Sequence, residues 1–402
     1  MPLDRNNYIV RAHAGSYFIA LGTILLFLGG DGALSIANNY VFYLVAILVN
    51  LMDVLINWEQ DIRLSAPFLL TSILIVALDI IHVSFGIYER GAMISIVFYL
   101  MLVLSVMLAD FNFMDARVIS NGVVLSSVIF TFLILFSGRE LYPGSSKFTF
   151  VQWFGRHLVF EPNFLGAFLT LGFCLSVYSI FGPMRYVFGT GSRIFNYAGS
   201  GIILIGIILT GSRSAMLSVC IFGMMIFILM KPGTLKKQLM IIAAAGIVLL
   251  IIMLLTGVIP KTLFQRVFSI SSYLDASNSK RIEDWIYGLR LILDRPVFGN
   301  GPALTEDLIM YHYNFSGEAH NTFINVGAMY GIPVLVLVCM HIAKLIRKTM
   351  HRGDIIMVSL MTVMLFEWNI LPCQFTVSAW IAVIICMIVG NASTGWFNVY
   401  RL

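Results

Sequence analysis

Residues 91–109, GAMISIVFYLMLVLSVMLA, contain no charged side chain. A helix of about 20 apolar residues crosses the hydrocarbon core of a bilayer, so this run predicts a membrane-spanning helix. The rest of the chain is similar, because 59% of its 402 residues are hydrophobic and only 11% are charged, against about 25% charged in soluble domains. Runs of comparable length predict about twelve membrane helices, at residues 13–31, 38–56, 66–86, 91–109, 117–137, 161–181, 193–211, 214–230, 238–258, 320–343, 354–371 and 374–391.

These runs predict an all-α, polytopic protein of the plasma membrane, in which residues 1–402 form one integral membrane domain. Lys and Arg of short loops prefer the cytoplasmic side. With both termini in the cytoplasm, the short external loops contain only Arg90 and Arg213. The net charge of +5 therefore indicates orientation rather than nucleic-acid binding. The five cysteines lack CxxC spacing, so neither a disulfide framework nor a metal site is predicted.

Two longer external segments are predicted, at residues 138–160 and 259–319. The second has roughly 60 residues, and loops of that length in compact proteins are usually functional. Its residues 279–294 have the periodicity of an amphipathic helix, which would lie on the outer membrane face or fold over a cavity. The apolar positions of this helix are Ile282, Trp285, Ile286, Leu289, Ile292 and Leu293.

Arg213 lies between two apolar runs with almost no loop. An arginine in that place either binds an anion in a water-filled cavity or extends its side chain to lipid headgroups. The neighbouring Gly211, Ser212 and Ser214 favour the first interpretation, because small residues allow close approach and hydroxyl groups can donate to a phosphate.

Arg281 lies on the predicted amphipathic helix, where a solvated polar face is the simpler explanation for its charge. Arg266 and Arg290 are comparable candidates in the same segment. Two guanidinium groups match a pyrophosphate well, because each forms a planar fork that stays charged.

His320 lies where the long external segment meets the tenth predicted helix. An imidazole can exchange a proton near neutral pH and act as a general base towards a sugar hydroxyl, although a structural role is the alternative. Glu318 could itself be the base, or it could orient the imidazole ring. Neither external segment contains a DxD-like pair of carboxylates. Together these residues predict glycosyl transfer from a polyprenyl-pyrophosphate donor, without a metal or another cofactor.

Four short motifs support this interpretation. In order along the chain they are EPNFLG at 161–166, TGSRSA at 210–215, RIEDW at 281–285 with DRPVFGNG at 294–301, and AHNTF at 319–323 with YGI at 330–332. Their order and spacing, over about residues 160–335, resemble the O-antigen polymerase and O-antigen ligase superfamily of bacterial membrane glycosyltransferases.

The resemblance implies an external active site between the membrane helices and the long segment, facing the periplasm or cell exterior. It implies that Arg213 and Arg281 bind pyrophosphate and that His320 activates the acceptor or binds the donor. Asn163 and Asn321 would be supporting polar groups. The implied partners are a lipid-linked glycan donor, a glycan acceptor, membrane lipid and, for a polymerase, a protein that regulates chain length.

Polymerase and ligase differ only in the acceptor. The modest external segment lacks a dense basic cluster for a phosphorylated lipid A-core, which favours the polymerase; the ligase stays open. A transporter or flippase is a rival, for which Asp79, His82 and Glu367 would be the membrane charges. A non-catalytic scaffold is a third alternative.

Overall fold

A computed structural model of the protein describes residues 11–28, 40–57, 65–86, 89–140, 148–150, 161–182, 189–229, 233, 237 and 276–391. These residues form thirteen α-helices and one short β-hairpin, which confirms the predicted all-α membrane class. The helices are α1 (Ala14–Ile24), α2 (Tyr40–Ile56), α3 (Ala66–Ser84), α4 (Arg90–Leu108), α5 (Phe113–Ser137), α6 (Pro162–Phe181), α7 (Gly189–Thr210), α8 (Arg213–Leu229), α9 (Ala276–Asp294), α10 (Thr305–Tyr313), α11 (Thr322–His351), α12 (Ile355–Trp368) and α13 (Val377–Asn391).

Eleven of the twelve predicted membrane helices have a counterpart in the structure, and the ninth, at 238–258, lies outside the described residues. Six helices are long and apolar enough to cross a bilayer, namely α3, α4, α5, α6, α7 and α11. The other five, α1, α2, α8, α12 and α13, are shorter apolar helices. The hairpin pairs β1 (Gly138–Glu140) with β2 (Phe148–Phe150) inside the first predicted external segment, where no strand was predicted.

Helix α6 lies at the centre of the bundle and is almost entirely buried. It packs against α5, α7, α8 and α12. Two glycines permit this close packing. A Cβ on Gly172 would lie 2.1 Å from the Ser127 hydroxyl of α5, and a Cβ on Gly166 would lie 2.8 Å from the Ala215 Cβ of α8. Because glycines remove the side-chain layer, backbones in membrane helices can approach closely.

The predicted alternation across the membrane agrees with contacts at one end of the bundle. His13 Nδ1 and Asp115 Oδ2 are 2.7 Å apart, although they belong to the first and fifth helices. Tyr178 at the end of α6 donates a 2.8 Å hydrogen bond to Asp354, the cap of α12. All four lie at helix ends that were assigned to the same side, and the candidate site residues meet at helix ends assigned to the opposite side.

The predicted amphipathic helix is α9, and it is followed by the short helix α10. Both pack on the first part of α11 through a small apolar cluster of Leu291, Ile292, Leu308, Ile309 and Ala328. Gly288 faces Ile324 of α11 so closely that a Cβ would lie 2.5 Å from that side chain. This contact fixes α9 beside the start of α11, where the predicted catalytic histidine lies.

A backbone clasp joins the turn after α9 to a break in α11. We use this name for the contact of residues 296–301 with residues 328–332. Asn300 N donates to Ala328 O at 2.8 Å, and Gly301 N donates to Met329 O at 3.1 Å. The Asn300 side-chain amide also donates to Ala328 O and to Leu291 O, both at 2.9 Å. The DRPVFGNG and YGI motifs therefore have a structural role in holding α9 against α11.

Glycine is required on both sides of the clasp. Gly299 has φ +71° and Gly331 has φ +82°, a region that other residues rarely adopt. A Cβ on Gly299 would lie 2.2 Å from Met329 O, and one on Gly331 would lie 2.5 Å from Val297 O. Gly331 also breaks α11 into two helical parts.

Candidate active site

Arg213 is the first residue of α8 and follows a tight turn from α7. Gly211 forms this turn with φ +64°. Thr210 Oγ1 accepts a 3.2 Å hydrogen bond from Ser212 N, and the hydroxyl groups of Ser212 and Ser214 are 3.1 Å apart. The N-terminus of a helix carries a partial positive charge and free backbone N–H groups. The Arg213 side chain and the N-terminus of α8 therefore both place positive charge at this turn.

Glu161 and Asn163 begin α6 next to this turn. Glu161 caps the helix, since its Oε2 accepts from the backbone N–H groups of Asn163 at 2.7 Å and Phe164 at 2.9 Å. Its Oε1 accepts a 2.6 Å hydrogen bond from the Asn163 side chain. The EPNFLG motif thus fixes a carboxylate and an amide at the N-terminus of α6, and its Gly166 admits the Arg213 turn.

Arg281 comes close enough to both of these elements to interact with their charges. Burial lowers the pKa of Arg281, the Glu161 carboxylate raises it, the Arg213 guanidinium lowers it and Asp284 raises it. The structure therefore brings together the two arginines that were predicted to act as a pair, although they lie on different helices. The positive charges of Arg213 and Arg281 act on each other, and a bound anion would offset this repulsion.

Asp284 lies one turn after Arg281 and is buried on the inner face of α9. It approaches the loop before α11, where a Cβ on Gly317 would lie 2.0 Å from its Oδ1. Burial raises the pKa of Asp284, and the charges of Lys280 and Arg281 lower it. Asp284 was not among the predicted site residues, although the RIEDW motif contains it.

His320 precedes α11 and has an unusual backbone. Its φ of +38° lies in the left-handed region, which costs a non-glycine residue energy and is often found at functional sites. Its Nδ1 is 3.4 Å from Glu318 Oε2. Burial raises the pKa of Glu318 to about 7, and the negative charges of Glu306, Glu161 and Asp284 add to this shift.

Glu161 therefore interacts with both Arg281 and Glu318. Through it the start of α6, the start of α9 and the loop before α11 converge on one region. The candidate site consists of Arg213, Arg281, Glu161, Glu318 and His320. It contains the two predicted cations and the predicted base in one cluster.

The segment after α12 contacts the start of α11, next to this cluster. Asn321 caps α11 by accepting from Phe323 N at 2.9 Å, and its side-chain amide donates to Asn369 O at 3.1 Å. Thr322 Oγ1 donates to Leu371 O and accepts from Cys373 N, both at 2.8 Å. Asn321 was predicted to be a supporting polar group. In the structure these hydrogen bonds hold Asn321, which directly follows His320 in the chain.

Glu367 at the end of α12 supports the Arg213 side of the site. Its Oε1 accepts a 2.6 Å hydrogen bond from Ser218 Oγ, and Ser214 also hydrogen-bonds the carboxylate. Glu367 and Ser218 are buried. Glu367 was predicted only as a membrane charge of a possible transporter, because nothing local in the sequence shows that α12 packs against α8.

Arg290 does not join the described cluster. Arg290 lies about 14 Å further along α9 than Arg281, since a helix rises about 1.5 Å per residue. Its guanidinium is 5.2 Å from the centre of the Tyr287 ring. Arg266 lies outside the described residues. Within the described part of the chain, no group of three or more His, Cys, Asp or Glu side chains is arranged to hold a metal ion.

Comparisons with known proteins agree with the motifs. Residues 198–339 match the family model described as O-Antigen ligase. The matched region includes Arg213, Arg281 and His320, whereas Glu161 and Glu367 lie outside it. The comparison with curated proteins gave no match. The family match supports the resemblance of residues 198–339 to the O-antigen polymerase and O-antigen ligase superfamily.

Proposed function

We propose that the protein joins lipid-linked glycans, as a membrane glycosyltransferase that polymerises polysaccharide repeat units. The donor is a glycan on polyprenyl pyrophosphate, and the acceptor is a sugar hydroxyl of another lipid-linked unit. The reaction takes place at the outer face of the plasma membrane. The observation that carries this proposal is the approach of Arg213 and Arg281 beside the Glu318–His320 pair.

The two arginines bind the pyrophosphate of the donor. When the bond between the anomeric carbon and the phosphate oxygen breaks, the leaving polyprenyl diphosphate gains negative charge. Fixed positive groups stabilise such developing charge, and they act strongly where water is excluded. Arg213 contributes together with the N-terminus of α8, and the Glu161 carboxylate favours the charged form of Arg281.

His320 takes the proton of the acceptor hydroxyl as its oxygen forms the new bond to the anomeric carbon. The imidazole becomes positively charged in this step. Glu318 stabilises that charge, because its carboxylate is 3.4 Å from Nδ1. Since the acid is neutral below its raised pKa of about 7, its support depends on pH.

Transfer to a different acceptor, such as lipid A-core or a protein, is the second candidate. The description of the matched family as O-Antigen ligase favours it. Both reactions use the same donor, so the residues that bind pyrophosphate serve either one. The glycans of a deletion strain distinguish them. A single repeat unit on the final acceptor indicates a lost polymerase, whereas long chains that remain on the carrier lipid indicate a lost ligase.

The key test compares two arginines of the same helix. We expect Arg281→Ala to reduce glycan joining at least 100-fold, because removing one charge stabiliser costs about that factor or more. Arg290→Ala is the matched control, because it removes the same charge from the exposed far end of α9. The measurement is chain formation by purified protein in detergent, from lipid-linked repeat units.

Equal activity of the two variants would contradict the assignment of Arg281. The same experiment separates the proposal from the transporter and the scaffold. A transporter gives no product without a sealed membrane. A scaffold tolerates the loss of Arg213, Arg281 and His320 in turn, whereas we expect each of these variants to insert in the membrane and lose activity.

A further inference from the structure

Helix α9 has three faces along its length. Its inner face, with Asp284, Gly288 and Leu291, is buried against α10, α11 and the loop before α11. Successive residues of a helix are about 100° apart around its axis. The remaining positions therefore form an outer half of the helix, and this outer half is divided into two strips.

The first strip is apolar. Ile282, Ile286, Leu289 and Leu293 lie within an arc of about 60°, and they are between 45% and 72% exposed. The second strip is polar. Glu283, Arg290 and Asp294 lie within an arc of about 40° beside the first strip, and they are exposed as well. A helix surrounded by water on its outer side has polar residues across that whole side.

The apolar strip continues onto an exposed apolar surface of the neighbouring helix α11. Val297 and Phe298 follow the end of α9 and are more than half exposed. The clasp ties this turn to α11, since Ile332 N donates to Pro296 O at 2.7 Å. From there Ile332, Val336 and Met340 form an exposed row along α11, which is a candidate membrane span.

We propose that α9 docks on the bilayer surface, with its apolar strip in the lipid and its polar strip in water. The partner is the phospholipid bilayer itself. Helices that have a strongly apolar side and a charged side lie in the interfacial plane in this way. The continuity with the exposed row of α11 selects lipid as the occupant, because both surfaces would meet the same membrane. This inference does not depend on the reaction that the site performs.

This docking would set the position of the candidate site relative to the membrane surface. Arg281 lies about 100° from Ile282 around the helix, between the apolar strip and the buried face. When the strip is in lipid, this guanidinium lies at the level of the headgroups. A diphosphate on a membrane-anchored carrier lies at the same level, so the donor reaches the arginines without leaving the bilayer.

Spin labels on the two strips test the proposal. The full-length protein is prepared with Cys220→Ser and Cys339→Ser, because these two cysteines are exposed. Leu289→Cys then labels the apolar strip, and Glu283→Cys labels the polar strip one to two turns away. The proteins are reconstituted in vesicles of phosphatidylethanolamine and phosphatidylglycerol. We expect the Leu289 label to collide with oxygen and to be protected from a water-soluble nickel chelate, and the Glu283 label to show the reverse.

Two outcomes would overturn the proposal. Collision of both labels with the nickel chelate would show that the strip faces water. Protection of the Leu289 label from both reagents would show that protein covers it, either a second copy or another part of this chain. A second pair, Ile286→Cys and Arg290→Cys, gives the same comparison if Leu289→Cys does not fold.

Discussion

At the scale of single residues, the site depends on charges that modify each other. Glu161 interacts with both Arg281 and Glu318, so one carboxylate stabilises a cation and disfavours the ionisation of a second acid. His320 is held in a left-handed backbone conformation at the entrance to α11. Such an arrangement places the two arginines beside a carboxyl group whose raised pKa is near neutral pH.

The raised pKa of Glu318 predicts a pH dependence. Below a pH of about 7 the acid is protonated and cannot support a positive His320, so we expect kcat to rise as the pH rises through about 7. Glu318→Gln should lower the kcat that is reached above this pH, because the amide cannot become negatively charged and support a positive His320. Glu306→Gln removes a charge that raises the pKa of Glu318, so it should move the rise to lower pH. The measurement is kcat across the neutral range.

The effect of pH on the stability of the folded protein has the opposite sign to its effect on kcat. A carboxyl group with a raised pKa in the folded state binds its proton more tightly there than in the unfolded chain. Its contribution to stability is present below its ordinary value of 4.5 and is lost as the pH rises through about 7. Identical pH profiles for the wild type and Glu318→Gln, in both activity and unfolding temperature, would contradict the role of Glu318.

Glu367 supplies a prediction outside the matched family region. Glu367→Ala leaves the buried Ser218 hydroxyl, and that of Ser214, without their acceptor, and buried unpaired polar groups are costly. The turn before Arg213 should loosen, so we expect a rise in KM for the donor of about tenfold or more, the effect of about 1.4 kcal/mol. Glu367→Gln keeps an acceptor oxygen and should restore most of the affinity.

The control for this experiment is Thr362→Val on the same helix. Thr362 donates only to the backbone of its own helix, at Val358 O. If Glu367→Ala and Thr362→Val raise KM equally, a general disturbance of α12 accounts for the result and the positioning role is wrong.

At the scale of elements, the clasp fixes the position of α9 relative to α11. The turn after α9 and the break in α11 exchange backbone hydrogen bonds. These bonds hold the start of α9, with Arg281, beside the N-terminus of α11, with His320. The clasp explains why glycines occur in the DRPVFGNG and YGI motifs, away from the charged residues of the candidate site.

Two glycines with the same backbone angle isolate the contribution of the clasp. Gly299 and Gly86 both have φ +71°. A Cβ on Gly299 meets Met329 O at 2.2 Å, whereas a Cβ on Gly86 has open space. Both Ala variants bear the backbone cost of about 1 kcal/mol, and only Gly299→Ala must also open the clasp. We expect a clearly larger fall in thermal unfolding temperature for Gly299→Ala; equal falls would show that the clasp contributes little.

At the scale of the whole molecule, the helix ends that were assigned to one side of the membrane meet at one end of the bundle. His13, Asp115, Tyr178 and Asp354 make contacts at the end away from the site. The site itself lies at the opposite end. A glycan carried on a membrane lipid would reach this end from one side of the membrane only.

A metal-free reaction is the prediction at this scale. Because two arginines supply positive charge to the diphosphate, we expect chain formation in detergent to continue at an unchanged rate in excess chelator. A glycosyltransferase that requires a divalent cation, treated in parallel, provides the control and should lose its activity. Recovery of activity only after addition of a divalent metal would reject the arginine scheme.

The sequence by itself determined the class of fold and the chemical types at the site. Hydropathy predicted eleven helices that the described residues contain, because the length needed to cross a bilayer is a local property of the chain. The positions of Arg213 and His320 next to apolar runs, and of Arg281 in a quoted motif, also made these three residues the predicted site. The sequence patterns missed the hairpin, helix α10 and the backbone role of the glycine motifs.

Only the tertiary structure decided which of these residues belong together. Arg281 and Arg290 are comparable candidates in the sequence. In the structure they lie on opposite sides of α9 and about 14 Å apart along its axis. Glu161 and Glu367 became part of the site or its support because α6 and α12 both pack on α8. Such packing depends on small residues and complementary surfaces of distant segments, and no local pattern of hydrophobicity records which helices will meet.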